Sequence, residues 1–372
     1  MLLAFYEPST RHATCFSIYV NEDCGFAALM QALAAASRKL NCFAALLDSV
    51  VVTQSQGFQT SPAHARQTPR TANNFQRRTQ GVSISLTKQK EPSMSYLAPS
   101  EFVTKMVDAG ESKVFMSTRD TIIRAYMAGA ILALAAWFAV TINVNTGQPL
   151  VGALLFPVGF VMLYLLGFDL LTGVFVLSPL ALIDKRPGVT FGGVLRNWGL
   201  VFVGNFAGAF TVAFMMAFVT TFGFTQDPDK IGTAIGNIGE GRTLGYAAHG
   251  AAGMATLFLR GMLCNWMVST GVVGAMISTS VPGKVIAMWM PILVFFYMVF
   301  EHSVVNMFLF PSGLMLHAKF SIMDYLIWNE IPTVLGNLVG GLAFTGMTLY
   351  ATHVMTKPKR QAGKATSPRV AA

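Results

Sequence analysis

Charged side chains are scarce in this sequence of 372 residues, in which Asp, Glu, Lys and Arg together account for 12% and hydrophobic residues for 53%. The mean hydropathy is +0.53, which excludes an ordinary soluble domain of this length. Carboxylates are rarest inside the long apolar runs, where Asp169 and Glu301 stand alone. An ionisable group at membrane depth is tolerated mainly where it lines a pathway or meets a partner. The composition therefore predicts an integral membrane protein with two candidate functional positions.

Cysteine and histidine are too few and too scattered to indicate a cofactor or a catalytic centre. The chain has 4 cysteines and 6 histidines, and Cys264 stands alone in an apolar run. No disulfide framework follows from these cysteines, and the histidines form no metal-ligand set. We therefore expect no enzymatic activity, no metal and no cofactor. The net charge of the chain is +9. We expect its partner to be the lipid bilayer and not a nucleic acid.

Long runs without Asp, Glu, Lys or Arg predict the membrane spans. Because a helix needs roughly 20 apolar residues to cross a bilayer, the run 125–168 must hold two spans, separated by the turn 145–149. The segments 170–183 and 303–318 are too short to cross alone. Each is interpreted as the second half of a span that is interrupted at its ionisable residue. The sequence thus predicts six transmembrane helices, of which the second and the fifth are broken.

A shift of 132 positions (301 − 169) places Glu301 on Asp169 and aligns further marked residues. The other matching pairs are Pro179 with Pro311, Asn197 with Asn329, Gly204 with Gly336, Asn205 with Asn337, and Gly208 with Gly340. This pattern indicates an internal repeat of three spans. Because three is an odd number, the two repeats must be inverted relative to each other. We expect Asp169 and Glu301 to support the shape of the breaks, and the small residues to support helix association in an oligomer.

Basic residues in the connections predict the orientation. With a cytoplasmic amino end, the outer connections receive only Lys230, Arg242 and Lys319. Both termini are then cytoplasmic, in a multi-pass protein of the cell inner (plasma) membrane. Arg260 is expected to cap the fourth span or to attract anions from a vestibule.

The ends of the chain differ from the repeat in composition. Residues 66–90 are polar, basic and free of acidic side chains. We interpret 1–93 as a poorly ordered extension or an artefact of the gene model, with translation from Met94. Residues 94–356 would be the transmembrane transporter domain and 357–372 a basic cytoplasmic tail. The segment 100–116 predicts a short amphipathic helix at the inner surface.

Three segments in chain order closely resemble the formate/nitrite transporter family. They are 197–205, then Arg-Gly-Met-Leu-Cys-Asn-Trp at 260–266, then Phe-Glu-His-Ser-Val-Val-Asn-Met at 300–307. The resemblance covers about 94–353. It implies an all-α, aquaporin-like fold and a homopentamer with one pore per subunit. It also implies transport of small monovalent weak-acid anions, namely formate, nitrite and hydrosulfide.

The resemblance further implies roles for individual residues. His302 matches the central pore histidine, Thr172 the threonine of the loop that breaks the second span, and Asn265 the asparagine of the fourth span. Asn306 would support the second break. Two hydrophobic constrictions would be formed by Phe156, Phe160 and Phe295, and by Leu170, Leu171 and Val268. The family often has a lysine at the outer start of the fourth span, but this sequence has His249, so anion capture there would be weaker or acid-dependent.

The chemistry of His302 agrees with that role. A small anion loses hydration in an apolar constriction, and protonation removes this cost. An imidazole titrates near neutral pH, so we expect His302 to exchange a proton with the anion; the alternative is a packed histidine bonded to Thr172. Helices that start after these residues would aim the positive ends of their dipoles at the site. The competing function is an aquaporin-like channel for small neutral solutes, although the chain has no Asn-Pro-Ala motif.

Overall fold

The computed structural model describes residues 96–355, so the predictions for residues 1–93 and 357–372 lie outside the described part of the chain. This part is helical, with one isolated bridge between Tyr96 and Ser278. The helices are α1 (Pro99–Phe115), α2 (Thr118–Thr146), α3 (Pro149–Leu165), α4 (Leu171–Ile183), α5 (Phe191–Thr220), α6 (Lys230–Gly241), α7 (Leu244–Ala247), α8 (Gly250–Ile277), α9 (Val281–Tyr297), α10 (Ser303–Met315) and α11 (Ile322–Met355).

The first described helix, α1, is amphipathic, as expected for 100–116, and its place at the inner surface stays a prediction. It begins at Pro99, a residue whose fixed φ suits a first helical turn. The carboxylate of Glu101 accepts a hydrogen bond from the backbone N–H of Ala98 at 3.0 Å. The residues of the apolar face are buried, among them Phe102, Met106, Val107 and Val114. This face packs against α4.

Four helices, α2, α5, α8 and α11, are long and apolar enough to cross a membrane by length and composition. The shorter apolar helices α3, α4, α9 and α10 follow one another in two pairs, each interrupted by five residues, 166–170 and 298–302. A shift of 132 places the bounds of α3 on those of α9 (149 + 132 = 281 and 165 + 132 = 297). The same shift places α4 on α10 (171 + 132 = 303 and 183 + 132 = 315). The helix boundaries thus recur at the spacing found in the sequence.

Equivalent residues at the two breaks have a left-handed backbone conformation. Gly167 has a φ of 73° and Val299, which is 132 positions later, has a φ of 55°. Glycine adopts this left-handed conformation freely, whereas for a β-branched residue it is an outlier that costs about 1–2 kcal/mol. The second break is therefore held in place by contacts elsewhere in the fold.

Small residues allow the long helices to pack with their backbones in contact. A Cβ added at Gly208 in α5 would lie 1.9 Å from the carbonyl oxygen of Tyr126 in α2. One added at Gly340 in α11 would lie 2.0 Å from the carbonyl oxygen of Met262 in α8. We expected these glycines to serve association between subunits. That expectation is wrong for these positions, because helices of the same chain cover them.

The last helix, α11, is not a uniform α-helix. It contains three π-helical stretches, Leu326–Glu330, Leu342–Met347 and Ala351–Met355. The first of these buries the polar side chains of Asn329 and Glu330. This stretch contacts Ser303 after the second break through Glu330. Because π-helical turns often occur at functional sites, it is a candidate part of the functional site.

Candidate functional site

The first break is held by an asparagine of α5. The side-chain oxygen of Asn205 accepts a hydrogen bond from the N–H of Leu171, the first residue of α4, at 2.8 Å. Its amide donates to the carbonyl oxygen of Asp169 at 2.9 Å and to that of Ala125 in α2 at 2.7 Å. One buried side chain thus satisfies backbone groups that the interrupted helices leave free. The Asp169 side chain, also buried, forms an ion pair with Lys113 of α1.

The second break repeats this arrangement. The side-chain oxygen of Asn337 accepts from the N–H of Ser303, the first residue of α10, at 3.0 Å. Its amide donates to the carbonyl oxygen of Glu301 at 2.9 Å and to that of Gly261 in α8 at 2.8 Å. The equivalent asparagines Asn205 and Asn337 therefore supply, in each half of the chain, the same support for broken backbone.

The side chain of Glu301 lies in a polar cluster behind the second break. It is fully buried and accepts hydrogen bonds from the Tyr246 hydroxyl at 2.8 Å and from the Asn306 amide at 3.0 Å. A guanidinium nitrogen of Arg242 lies 3.5 Å from its carboxylate. Burial, and then the Glu301 charge, raise the pKa of Tyr246, which lies on the short helix α7, to about 12. Tyr246 therefore stays protonated at neutral pH and serves as a donor, while it accepts from Arg260 at 2.9 Å.

His302 and Thr172 bring the two breaks into contact. The His302 Nε2 atom lies 3.2 Å from the Thr172 hydroxyl, and both side chains are buried. The other ring nitrogen, Nδ1, accepts a hydrogen bond from the N–H of Val305 at 3.3 Å and so caps α10. In the neutral ring the proton then belongs on Nε2, which donates to Thr172. Placing a second proton on Nδ1 would remove the cap, so ring protonation and the start of α10 are coupled.

A cluster of aromatic rings lies beside His302. The Phe295 ring stacks on the imidazole with centroids 5.6 Å apart, and Phe156 meets Phe295 edge-on at 5.7 Å. Phe160 is buried and contacts Tyr164 at 4.5 Å. Two of the three phenylalanines expected at one constriction thus lie within one aromatic cluster beside the histidine.

The residues expected at the other constriction are Leu170 and Leu171, which precede Thr172 in the chain, and Val268 in α8. Leu170, Leu171 and Val268 are all fully buried. Asn265 donates to the carbonyl oxygen of Thr172 at 3.2 Å and to that of Asn337 at 2.6 Å. Its amide hydrogens are thereby directed at backbone oxygens, so Asn265 ties the first break to α11.

A cavity of about 430 Å³ opens beside His302. Phe295 and His302 line it together with Arg242, Arg260 and Asn143. Two guanidinium groups therefore face the space that leads to the histidine. Such a cavity attracts anions, because low-dielectric walls focus the field of the charges that line it.

Arg242 is a charged residue of the candidate site that sequence reasoning missed. It follows α6 directly and pairs with Glu301, whereas the sequence alone placed it only in an outer connection. Lys113, near the end of α1, meets Asp169 in the same way. The sequence did contain a signal for both pairs. It is a basic residue at or just after the end of the short helix that precedes each three-span repeat. His249 precedes α8 and, with Arg242 and Arg260, lines an open depression of about 480 Å³.

The sequence model of one family, described as formate/nitrite transporter, matches residues 100–351. This range covers most of the described chain, both breaks and the paired Asn205 and Asn337. The chain belongs to the formate/nitrite transporter family. The resemblance noted in the sequence is thereby confirmed.

Two proteins similar to this chain are named as a formate transporter and a formate channel. This chain is 32% identical over 275 residues to the probable formate transporter of Methanothermobacter thermautotrophicus, covering 70% of this chain and 98% of that protein. It is 25% identical over 285 residues to the formate channel FocA of Escherichia coli strain K12, covering 69% and 95%. These relatives are matched over nearly their whole length.

Solved structures show the same fold. An FNT family ion channel matches with a TM-score of 0.60 at 22% identity and covers 68% of this chain and 99% of that one. A pentameric formate channel with formate bound matches with a TM-score of 0.54 at 24% identity, covering 63% and 97%. The expectation of an all-helical channel fold is therefore confirmed.

Proposed function

We propose that this protein conducts small monovalent weak-acid anions, formate and also nitrite, and that His302 exchanges a proton with the anion within the membrane. The observation that carries the proposal is the place of His302, which ends the second break and lines a cavity together with Arg242 and Arg260. A histidine at membrane depth is by default a functional residue. The names of the relatives support formate as the substrate.

Attraction of the anion to this place is explained by backbone and side-chain charge together. Both α4 and α10 begin at the breaks, at Leu171 and Ser303. Each amino end carries the equivalent of roughly +0.5 charge. Arg242 and Arg260 line the cavity beside His302 and raise the local concentration of anions.

Passage across the apolar parts of the path requires removal of the charge. In the proposed step, His302 takes a proton from the aqueous side on Nδ1, which ends the hydrogen bond from Val305, and passes the Nε2 proton to an oxygen of the anion. The neutral acid then crosses the constriction ahead. The ring is left neutral with its proton on Nδ1, and it regains the starting form when Nε2 takes up a proton from the aqueous side and Nδ1 releases its own. We assign one constriction to Phe156, Phe160 and Phe295, and the other to Leu170, Leu171 and Val268. All six side chains are buried, as an anion barrier requires.

We infer that the chain has six spans in two inverted three-helix repeats, with the second and fifth broken. The recurrence of helix bounds after 132 positions and the matching bonds of Asn205 and Asn337 support this arrangement. We also propose a homopentamer, as in the formate channel of similar fold. The basic residues support an inner-membrane protein with both termini in the cytoplasm. A stable monomer in mass measurement of the detergent-purified complex would contradict the pentamer.

Uptake by proteoliposomes tests the transport function. Labelled formate and labelled nitrite should both accumulate in vesicles that contain the protein, faster at acidic pH, and empty vesicles should not accumulate them. Swelling in glycerol, measured in the same vesicles, addresses the aquaporin-like alternative. Swelling without any anion uptake would overturn the proposal in favour of a neutral-solute channel.

A further inference from the structure

Glu330 is a buried carboxyl beside the second break that the proposed transport step does not use. It ends the π-helical stretch Leu326–Glu330 and is 3% exposed. The Ser303 hydroxyl donates to its Oε1 atom at 2.5 Å, and the Tyr325 hydroxyl donates to its Oε2 atom at 2.9 Å. Ser303 follows His302 directly and is the first residue of α10. Glu330 therefore contacts the residue that follows the proposed proton-exchanging histidine in the chain.

The partners of Glu330 differ from those of the other buried carboxylates. Asp169 pairs with Lys113, and Glu301 pairs with Arg242. Within residues 96–355, no Lys, Arg or His nitrogen lies within ion-pair distance of Glu330, whose partners are hydroxyls. A buried carboxylate without a cation is costly in an apolar interior. The neutral, protonated form of Glu330 avoids this cost.

Glu330 and its partners are also absent from the first repeat. The shift of 132 places Ser303 on Leu171, Tyr325 on Gly193, and Glu330 on Trp198. Trp198 instead donates from its indole to the carbonyl oxygen of Val174 at 3.2 Å. The residues that hold the breaks, such as Asn205 and Asn337, are by contrast present in both repeats. The cluster of Ser303, Tyr325 and Glu330 therefore serves something other than the shared architecture, and it occurs only in the half that contains His302.

The two protonation states of Glu330 differ in their hydrogen bonds with Ser303. As a carboxylate, Glu330 accepts from both hydroxyls. With a proton on Oε1, the acid donates to the Ser303 oxygen, and the Ser303 hydroxyl donates elsewhere. With the proton on Oε2, Tyr325 becomes the acceptor, and Ser303 still donates to Oε1 but loses the strengthening that the negative charge gave to this bond. A proton on Glu330 thus changes the hydrogen bonding of the first residue of α10, the helix that His302 caps.

We propose that Glu330 holds a proton at neutral pH and, through Ser303, acts as a positioning residue that sets the pH range over which the second break supports transport. This proposal rests on the proposed function of His302. Loss of the proton at higher pH would place a bare charge behind α10 and change the position of His302. Two titratable groups interact with Glu330 directly, Tyr325 on α11 through its hydroxyl and Glu301 in the break through its charge. Further groups act on Glu301 and are reached through it, namely Arg242 after α6, Tyr246 on α7 and Cys264 on α8. Arg260 on α8 donates to Tyr246, and His302 precedes Ser303 in the chain.

The pH profile of formate uptake in Glu330→Gln tests this role. Glutamine has a similar shape and remains neutral, so the variant should retain uptake at acidic pH close to that of the wild type. The decline of uptake toward alkaline pH should move upward by about one unit or more, or disappear. An unchanged profile would reduce Glu330 to a structural residue. Loss of uptake at every pH in a folded variant would also overturn the proposal, because it would indicate that the ionised form is needed.

Trp198→Phe is the matched control, because Trp198 occupies the equivalent position of the first repeat. It removes one buried hydrogen bond without altering a titratable group, so its pH profile should match the wild type. A shift of the same size in Trp198→Phe would show that the effect is not specific to Glu330.

Infrared spectroscopy tests the proton on Glu330 without relying on transport. At neutral pH, the difference spectrum between wild type and Glu330→Gln should contain a protonated-carboxyl band that the variant lacks. Absence of this band would overturn the proposal even if the wild type transports formate, and its presence would support the proton on Glu330 even if it does not. If Glu330→Gln fails to fold, Ser303→Ala should shift the band, and an unshifted band would contradict the coupling through Ser303.

Discussion

Lys113 and Asp169 form an ion pair that fastens α1 to the first break. The aspartate side chain is 2% exposed and the lysine side chain 18%. The first described helix is thus linked electrostatically to the side chain of Asp169 in the first break. The corresponding pair of Arg242 and Glu301 links the end of α6 to the second break.

Removing the lysine of this pair should destabilise the protein. In Lys113→Met a buried carboxylate is left without its cation, which costs about 3–5 kcal/mol. We expect a clear drop in the thermal unfolding temperature of the detergent-purified protein. The exposed Lys105 on the same helix provides the control Lys105→Met, which should leave the temperature nearly unchanged. Adding Asp169→Asn to Lys113→Met should restore part of the loss, and no restoration would show that the charge on Asp169 is not its cause.

Replacing the central histidine should change proton coupling while preserving the fold. Asparagine in His302→Asn can still bond to Thr172 but cannot titrate. We expect the variant either to block formate or to pass the bare anion as an uncompensated current. Current and uptake across pH in proteoliposomes measure the change. The exposed His317, which has a φ of 63°, provides the control His317→Asn, because asparagine tolerates that conformation. A His302→Asn variant with the wild-type rate, current and pH profile would leave this histidine a structural residue only.

The glycines at the helix crossings should not accept a methyl group. Gly208→Ala and Gly340→Ala place a Cβ about 2 Å from backbone oxygens of a neighbouring helix. Because backbone cannot yield as a flexible side chain does, each should cost about 1–3 kcal/mol. Gly199 lies on α5 with no atom within 4 Å of an added Cβ, so Gly199→Ala should be neutral or stabilise by up to about 1 kcal/mol. Thermal unfolding of the three variants gives the comparison, and equal temperatures would refute the backbone contact.

Arg242 and His249 should differ in importance. Arg242→Gln removes the cation of Glu301 and one positive charge of the cavity, so it should lower both stability and formate uptake. His249→Gln should have a smaller effect on either, because His249 lies exposed in the open depression. Uptake measured at low and at high salt separates the loss of anion attraction from the loss of stability, because salt screens the attraction by exposed charges. A larger loss in His249→Gln than in Arg242→Gln would reverse this ranking and favour the histidine as the anion-capturing group.

The sequence predicted much of the fold and part of the candidate site. The short halves at 170–183 and 303–318 and the amphipathic segment 100–116 correspond to helices of the structure within a few residues. The contact between His302 and Thr172 is the one that the alternative of a packed histidine predicted, and proton exchange by His302 stays a prediction. The function of the glycines was misjudged, because a stripe of small residues indicates close approach but does not specify which helix approaches.

Composition and spacing along the chain determined the membrane class, the places of the breaks and the repeat of 132 positions, because these depend only on the order of residues. The tertiary structure decided which polar groups meet. It brought Arg242 to Glu301 and, through the π-helical turn at Leu326–Glu330, Glu330 to Ser303. These partners are separated by 59 (301 − 242) and 27 positions. Distances of that kind are set by how helices cross and rotate against each other, which no local pattern in the sequence encodes.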